Sequence, residues 1–152
     1  MPNAPLNVAL LNRKQFNKAI SEYSRKVTQE KIPMFVKGVA LKILRGVILR
    51  TPVDTGFARN NWMVTIGSYG KDTPFEAEDN ADGTIRREMQ NIASKNSLGR
   101  IIYIWNAVPY IQYLETGTSD KAPEGMLRVT LAEIASELSS KYNFIGYYKA
   151  NE

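Results

Sequence analysis

The side chains best suited to chemistry in this chain are carboxylates. Glu115 and Asp120 bracket the segment Glu115-Thr116-Gly117-Thr118-Ser119-Asp120, and two carboxyl groups held together can run acid–base chemistry when one keeps its proton. In a glycine- and hydroxyl-rich stretch, such a pair more often serves as solvated charge or as a hydrogen-bond acceptor. Asp54 with nearby Arg59 suggests a metal or catalytic pair, but a lone Asp lacks the further ligands a metal requires, and Asp54-Thr55-Gly56 reads as a turn. Asp79, Asn80, Asp82 and Gly83 resemble part of a calcium loop, without its ligand spacing or its closing bidentate Glu. The chain has no histidine and no cysteine. That removes the usual base near neutral pH, the commonest zinc ligand, thiol chemistry and disulfides. A phosphate-cradling glycine motif with its lysine is also missing. The reading is therefore non-enzymatic, with no catalytic residue, metal site or cofactor.

These groups hang on a central stretch. Ile101 to Trp105, including Tyr103, is β-branched or aromatic and predicts a strand. Asn106 and Pro109 end it, because Asn favours turns and Pro has no N–H for the ladder. Tyr110, Tyr113 and Leu114 form a short apolar patch. A loop follows through Gly117 and Ser119, and Pro123-Glu124 suits the first turn of a helix over about 123–141. A second strand is expected from Trp62 through Ile66. Residues 71–83 read as an acidic loop, and Thr84 as the cap of a short helix carrying a solvated Arg86-Arg87 pair.

Two helices precede the strands. From Asn12, the residues Phe16, Ala19, Ile20, Tyr23 and Val27 recur at three- and four-residue steps. Pro33 breaks or kinks this run. Residues 34–50 carry a wide apolar stripe centred on Ile43 and Leu44, with Leu41 and Leu49 off it. Gly38 and Gly46 weaken that helix but allow close approach of another element. Thr51-Pro52 ends it.

At 152 residues the chain predicts one domain. No apolar run reaches the ~18 residues a membrane helix needs, and no signal-peptide pattern opens the sequence, so no membrane partner is expected. The net charge of +5 is unevenly spread: residues 1–50 carry a net +8 and the rest is slightly acidic. The basic region admits a nucleic-acid-binding module, but its cations are scattered without an aromatic stacking platform, which favours a solvated helix face. Residues 1–11 carry no charged side chain and read as an arm. Residues 143–152, with Phe144 and Tyr147, read as an apolar tail, either a last strand or an anchor on a neighbour.

Two motifs in order resemble a known family. Thr51-Pro52-Val53-Asp54-Thr55-Gly56 with Ala58-Arg59 and Asn61-Trp62 is one. Asn106, Pro109-Tyr110, Leu114-Glu115, Gly117, Ser119, Ala122-Pro123 and Gly125-Met126 are the other. Together they resemble the HK97 gp10-like proteins of tailed bacteriophages, over most of residues 34–140. Lys121 departs from the pattern, where an uncharged polar residue is expected. The resemblance implies a structural virion protein of the neck or upper tail, made in the host cytoplasm: a tail completion or head–tail joining subunit. It would form a closed ring, expected to be a hexamer, between a head-side connector or adaptor protein and the tail tube or terminator. Genomic DNA would pass through it without sequence specificity. A tail terminator or connector adaptor ring is the neighbouring alternative. The candidate sheet-core and ring-contact residues are Tyr103, Trp105, Pro109, Tyr110, Glu115, Gly117 and Ser119, with Phe144 and Tyr147. Pro52, Asp54, Thr55, Gly56, Arg59, Trp62, Asn106, Pro123, Gly125 and Met126 are structural motif positions. The expected fold is α+β: an antiparallel sheet of three to five strands, a long N-terminal helical region and a C-terminal helix packed on one face.

Overall fold

The computed structural model describes residues 13–70, 73–76, 78–117 and 119–142. The arm at 1–11 and the tail at 143–152, with Phe144 and Tyr147, lie outside the described residues. The fold is mixed helix and sheet. The chain divides into two compact units, one ending at Val36 and the other beginning at Lys37.

The first unit is helical. Helix α1 spans Arg13–Lys26 and is followed by a π-helical turn at Val27–Lys31. Helix α2 spans Ile32–Arg50 and contributes its first residues to this unit. Pro33 therefore neither stops the run nor leaves it regular. Proline has no N–H to donate, and just before it the helix widens, so that the Ile32 N–H donates to Val27 O, five residues back. The apolar stripe of α1 is present, and no residue described within its own unit buries it. Phe16, Ile20 and Tyr23 are 65%, 54% and 64% exposed, and no residue of α1 is buried.

The second unit holds the core. Leu44, Val47 and Ile48 of α2 are fully buried, packed with Trp62, Ile85 and Met126. Ile43 lies half-buried at the rim of this cluster, and Leu44 takes its centre. Leu41 reaches both this cluster and a smaller one of Ala40, Val64 and Ile92. Leu49 stays exposed.

After a four-residue helix α3, Phe57–Asn60, strand β1 runs Trp62–Ile66 and strand β2 runs Ile102–Asn106. They pair antiparallel with Val64 opposite Ile104. Among the described residues the sheet has these two strands, not three to five. Helix α4, Ala81–Ser94, starts inside the stretch read as loop. Asn80, not Thr84, caps it, its side-chain oxygen accepting from Gly83 N at 2.7 Å. Thr84 is buried, and its hydroxyl donates to Asn60 Oδ1.

Helix α4 also closes one edge of the sheet. The Val64 N–H donates to the buried Glu88 carboxylate at 2.9 Å, and Asn91 Nδ2 donates to Val64 O at 2.9 Å. Arg87, read as solvated, bonds Glu88 and the carbonyls of Asn60 and Trp62. With Val64 facing outward, the antiparallel pattern turns the N–H and C=O of Ile104 to the far side of β2. A short helix α5, Ile111–Glu115, and the C-terminal helix α6, Leu127–Tyr142, complete the described chain. Helix α6 lies against α2. A Cβ at Gly46 would collide with the Thr130 side chain, and the ion pairs Arg50–Glu133 and Lys42–Glu137 flank that contact. Gly46 thus serves the close approach its position suggests, whereas Gly38 faces open space.

Leu44→Ala should lower the unfolding free energy by about 2–5 kcal/mol, the usual cost of truncating a fully buried leucine. A urea titration of the full chain checks this, and an unchanged midpoint would contradict the packing.

Candidate functional site

The two motif segments meet in one corner of the second unit. At its base, the Trp62 indole N–H donates to Thr51 Oγ1 at 2.7 Å, and the Thr51 hydroxyl donates to Val47 O at 2.6 Å. That chain ties the end of α2 to the start of β1. Asn106 closes the other side, with Nδ2 donating to Ala58 O at 2.8 Å and Oδ1 accepting from Val108 N. Lys121 Nζ donates to Val53 O at 3.0 Å. Lys121 therefore makes a direct link between the two segments.

Asn60 and Asn61 are buried and hold the acidic loop down. Asn60 Oδ1 accepts from Asn80 N, and its Nδ2 donates to Glu78 O. Asn61 exchanges hydrogen bonds with both backbone groups of Phe75. Gly56, at φ 82°, lets Asp79 approach where a Cβ would collide. Arg59 pairs with Asp79 at 3.3 Å, not with Asp54, which is exposed with Thr55.

Glu115 is the most heavily engaged polar group of the corner. Its Oε2 accepts from Met126 N at 2.9 Å and Leu127 N at 2.8 Å, and its Oε1 accepts from Arg128 N at 3.0 Å. Arg128 Nη2 donates to Glu115 O at 2.9 Å. The carboxylate is thus the N-terminal cap of α6, supplied from eleven residues upstream of Met126. This revises the expectation that Pro123 and Glu124 open the helix, because Ala122–Gly125 forms turns ahead of it. Burial pushes the Glu115 carboxyl up, but the N–H groups of Leu127, Arg128 and Met126 and the Arg128 charge outweigh it and hold it below the ordinary 4.5. Gly125, at φ 79°, passes so close to Glu115 that a Cβ would collide with its carbonyl and carboxylate.

With its carboxylate committed to three N–H groups, Glu115 is a poor partner for proton transfer to a substrate. Asp120 is exposed. Among the described residues no three acidic side chains gather as a metal site. Two shallow clefts of about 460 and 480 Å³ flank Pro52, Val53 and Lys121. Arg50, Arg59 and Glu124 line the first; Asp54, Tyr110 and Asp120 line the second.

Trp105 is buried, and Tyr103 half-buried, beside the exposed Tyr69, whose ring centroid is 6.0 Å from that of Tyr103 and 5.6 Å from that of Trp105. Trp105 is thus a sheet-core residue of its own chain. Pro109 and Tyr110 are exposed, Gly117 and Ser119 half-buried, and Met126 buried. The sequence reading missed the buried pair Asn60–Asn61 and the edge-sealing Arg87, Glu88 and Asn91. Their only sequence signal is three polar residues within one helical turn facing a strand.

No family model, no curated protein and no solved structure matches this chain.

Because the Glu115 carboxyl is depressed in the fold, its contribution to stability is complete above about pH 4.5 and is lost as pH falls through the lowered value. Glu115→Gln should flatten this acid limb in unfolding measured from pH 6 to pH 3, and destabilise the protein at neutral pH. An unchanged acid limb would remove Glu115 from that role. Gly125→Ala should cost more than about 1 kcal/mol by the same measurement, since it adds left-handed strain to a collision.

Proposed function

We propose that the chain is a structural, non-enzymatic virion protein of a tailed phage: a neck or tail completion subunit that joins head to tail as a ring around the DNA channel. One observation carries this reading. The two sequence segments that resemble the HK97 gp10-like signature meet in one corner, joined through Ala58–Asn106 and Val53–Lys121. The polar groups of the corner are spent on positioning backbone, as suits a structural part.

In this reading the ring closes by heterologous contacts between copies. It docks a connector or adaptor protein on the head side and the tail tube or terminator on the tail side. A terminator or adaptor ring would use the same corner. The sheet reaches three to five strands when the outward-facing groups of Ile104 accept a strand from a neighbouring subunit. The exposed cations of α1, among them Arg13, Lys14, Lys18 and Arg25, support a second reading as a nucleic-acid-binding module. Steeply salt-dependent DNA binding by the isolated protein would favour it.

The mass of the purified protein across concentration tests the ring. A closed species of about six copies is expected, and the protein should be detected in purified particles that carry its gene. Absence from those particles would end the virion reading.

A further inference from the structure

We infer that the far edge of β2 takes residues 143–148 of a second copy as an added strand, so that each subunit offers one acceptor edge and one donor segment. This deepens the reading of the chain as a self-assembling subunit and rests on it.

The edge is a row of backbone groups. In an antiparallel pair the N–H and C=O of every second residue turn to the same side. Val64 points its groups away from β2, toward Glu88 and Asn91, and its partner across the ladder is Ile104. Ile102, opposite Ile66, shares the phase of Ile104. Both isoleucines therefore hold their N–H and C=O toward the far side of β2, and among the described residues no group bonds them there. The usual guards of an edge are also missing, since Ile102–Asn106 contains neither a charged residue nor a proline. A buried carboxylate is a costly way to block an edge. The fold uses one on β1 and, among the described residues, none on β2.

The surroundings of the edge select its occupant. Side chains of an added strand would lie level with the half-buried Ile102 and Ile104 on the core side and with the half-buried Tyr103 on the other. A charge on either side would face apolar neighbours, so the strand must be apolar on both. Two long uncharged stretches of the sequence lie outside the described residues. Residues 1–11 include Pro2 and Pro5, which cannot donate to a ladder, and Val8 alone is β-branched or aromatic. Residues 143–148 instead place Phe144 and Tyr148 on one side of a strand and Ile145 and Tyr147 on the other. Aromatic residues beside β-branched ones are favourable cross-strand pairs.

Helix α6 ends at Tyr142, and residues 143–152 follow it. Extended, they span ~33 Å, enough to leave one subunit and lie along the five-residue strand of the next. Donor and acceptor are different parts of the chain. Each copy can therefore give and take at once, the heterologous arrangement that a ring requires.

Hydrogen exchange of the full-length protein reads the edge directly. The Ile102 and Ile104 amides should exchange freely in dilute monomer and slow by roughly tenfold or more in the associated protein. Tyr103, paired with Thr65 on the inner side of the ladder, should stay slow in both. Ile145→Pro with Tyr148→Pro removes a ladder donor at each phase of the segment. In the full chain this pair should weaken self-association by roughly tenfold or more at an unchanged urea midpoint. A peptide of residues 142–149 added to that variant should restore the slow Ile102 and Ile104 amides. Fast Ile102 and Ile104 amides in the associated protein, slow ones already in the dilute monomer, or association indifferent to the two prolines would each overturn the inference. A closed ring with fast amides would keep the ring and remove the added strand. Slow amides in open oligomers, with no closed species, would keep the added strand and remove the ring.

Discussion

A sixteen-residue helix leaves its first N–H groups without partners inside the helix, and in α6 the burden falls on one side chain from another element. The Glu115 carboxylate takes the N–H groups of Met126, Leu127 and Arg128. It can do so only because the intervening segment folds back tightly. Gly117 and Gly125 both adopt positive φ, and a Cβ at Gly117 would strike Pro123 O. Fixing the start of α6 in turn sets Met126 in the core and brings Thr130 onto Gly46 of α2. The Arg50–Glu133 and Lys42–Glu137 pairs follow from that placement. They are solvent-accessible, so they orient more than they stabilise. The motif residues of the second segment thus read as one device for placing a helix.

The same logic of borrowed side chains closes the sheet. A two-stranded ribbon is marginal alone, and each free edge invites another strand. Helix α4 lays Glu88 and Asn91 along β1 and satisfies the outward groups of Val64. Glu88 is buried, yet its oxygens meet the Val64 N–H, Asn91 and Arg87, which makes its charge tolerable. Nothing similar covers Ile104 among the described residues. One edge is sealed by the chain itself, while at the other the Ile104 groups have no such partner among the described residues.

The elements were legible because periodicity and β-branching are local signals. The stripe of α2, both strands, and the stop at Thr51-Pro52 could be read directly. Side-chain to backbone bonds that cross between elements were not legible. Nothing in the sequence around Glu115 says that it caps a helix beginning at Leu127, so local reasoning assigned that end to Pro123 and Glu124. Asn60 and Asn61 look like turn residues, and only the fold shows them buried, bonded to Phe75, Glu78 and Asn80. The start of α4 at Ala81 was hidden by acidic composition, which resembles a loop whether or not Asn80 caps a helix there. Aromatic strands imply a wider sheet than the two strands that the described residues contain. Burial was the other gap: the stripe of α1 matches that of a core helix, and periodicity cannot tell whether a face is covered by its own chain.

That last distinction bears on function. The unit from Lys37 onward has a filled core with Leu44, Val47, Ile48 and Met126 fully buried, and its interior polar groups are largely paired. It needs little from a partner to fold. The helical unit before it exposes side chains each worth about 1.5–3 kcal/mol when fully buried, and it carries a net +4 on the same helix. A solitary protein gains nothing by keeping such a face in water, where it is an aggregation hazard. In the proposed ring, contacts between copies are head-to-tail rather than isologous, and repetition closes only if the rotation between copies divides a full turn. Ring formation therefore depends on the angle set by this contact, and the strength of the contact alone does not decide it.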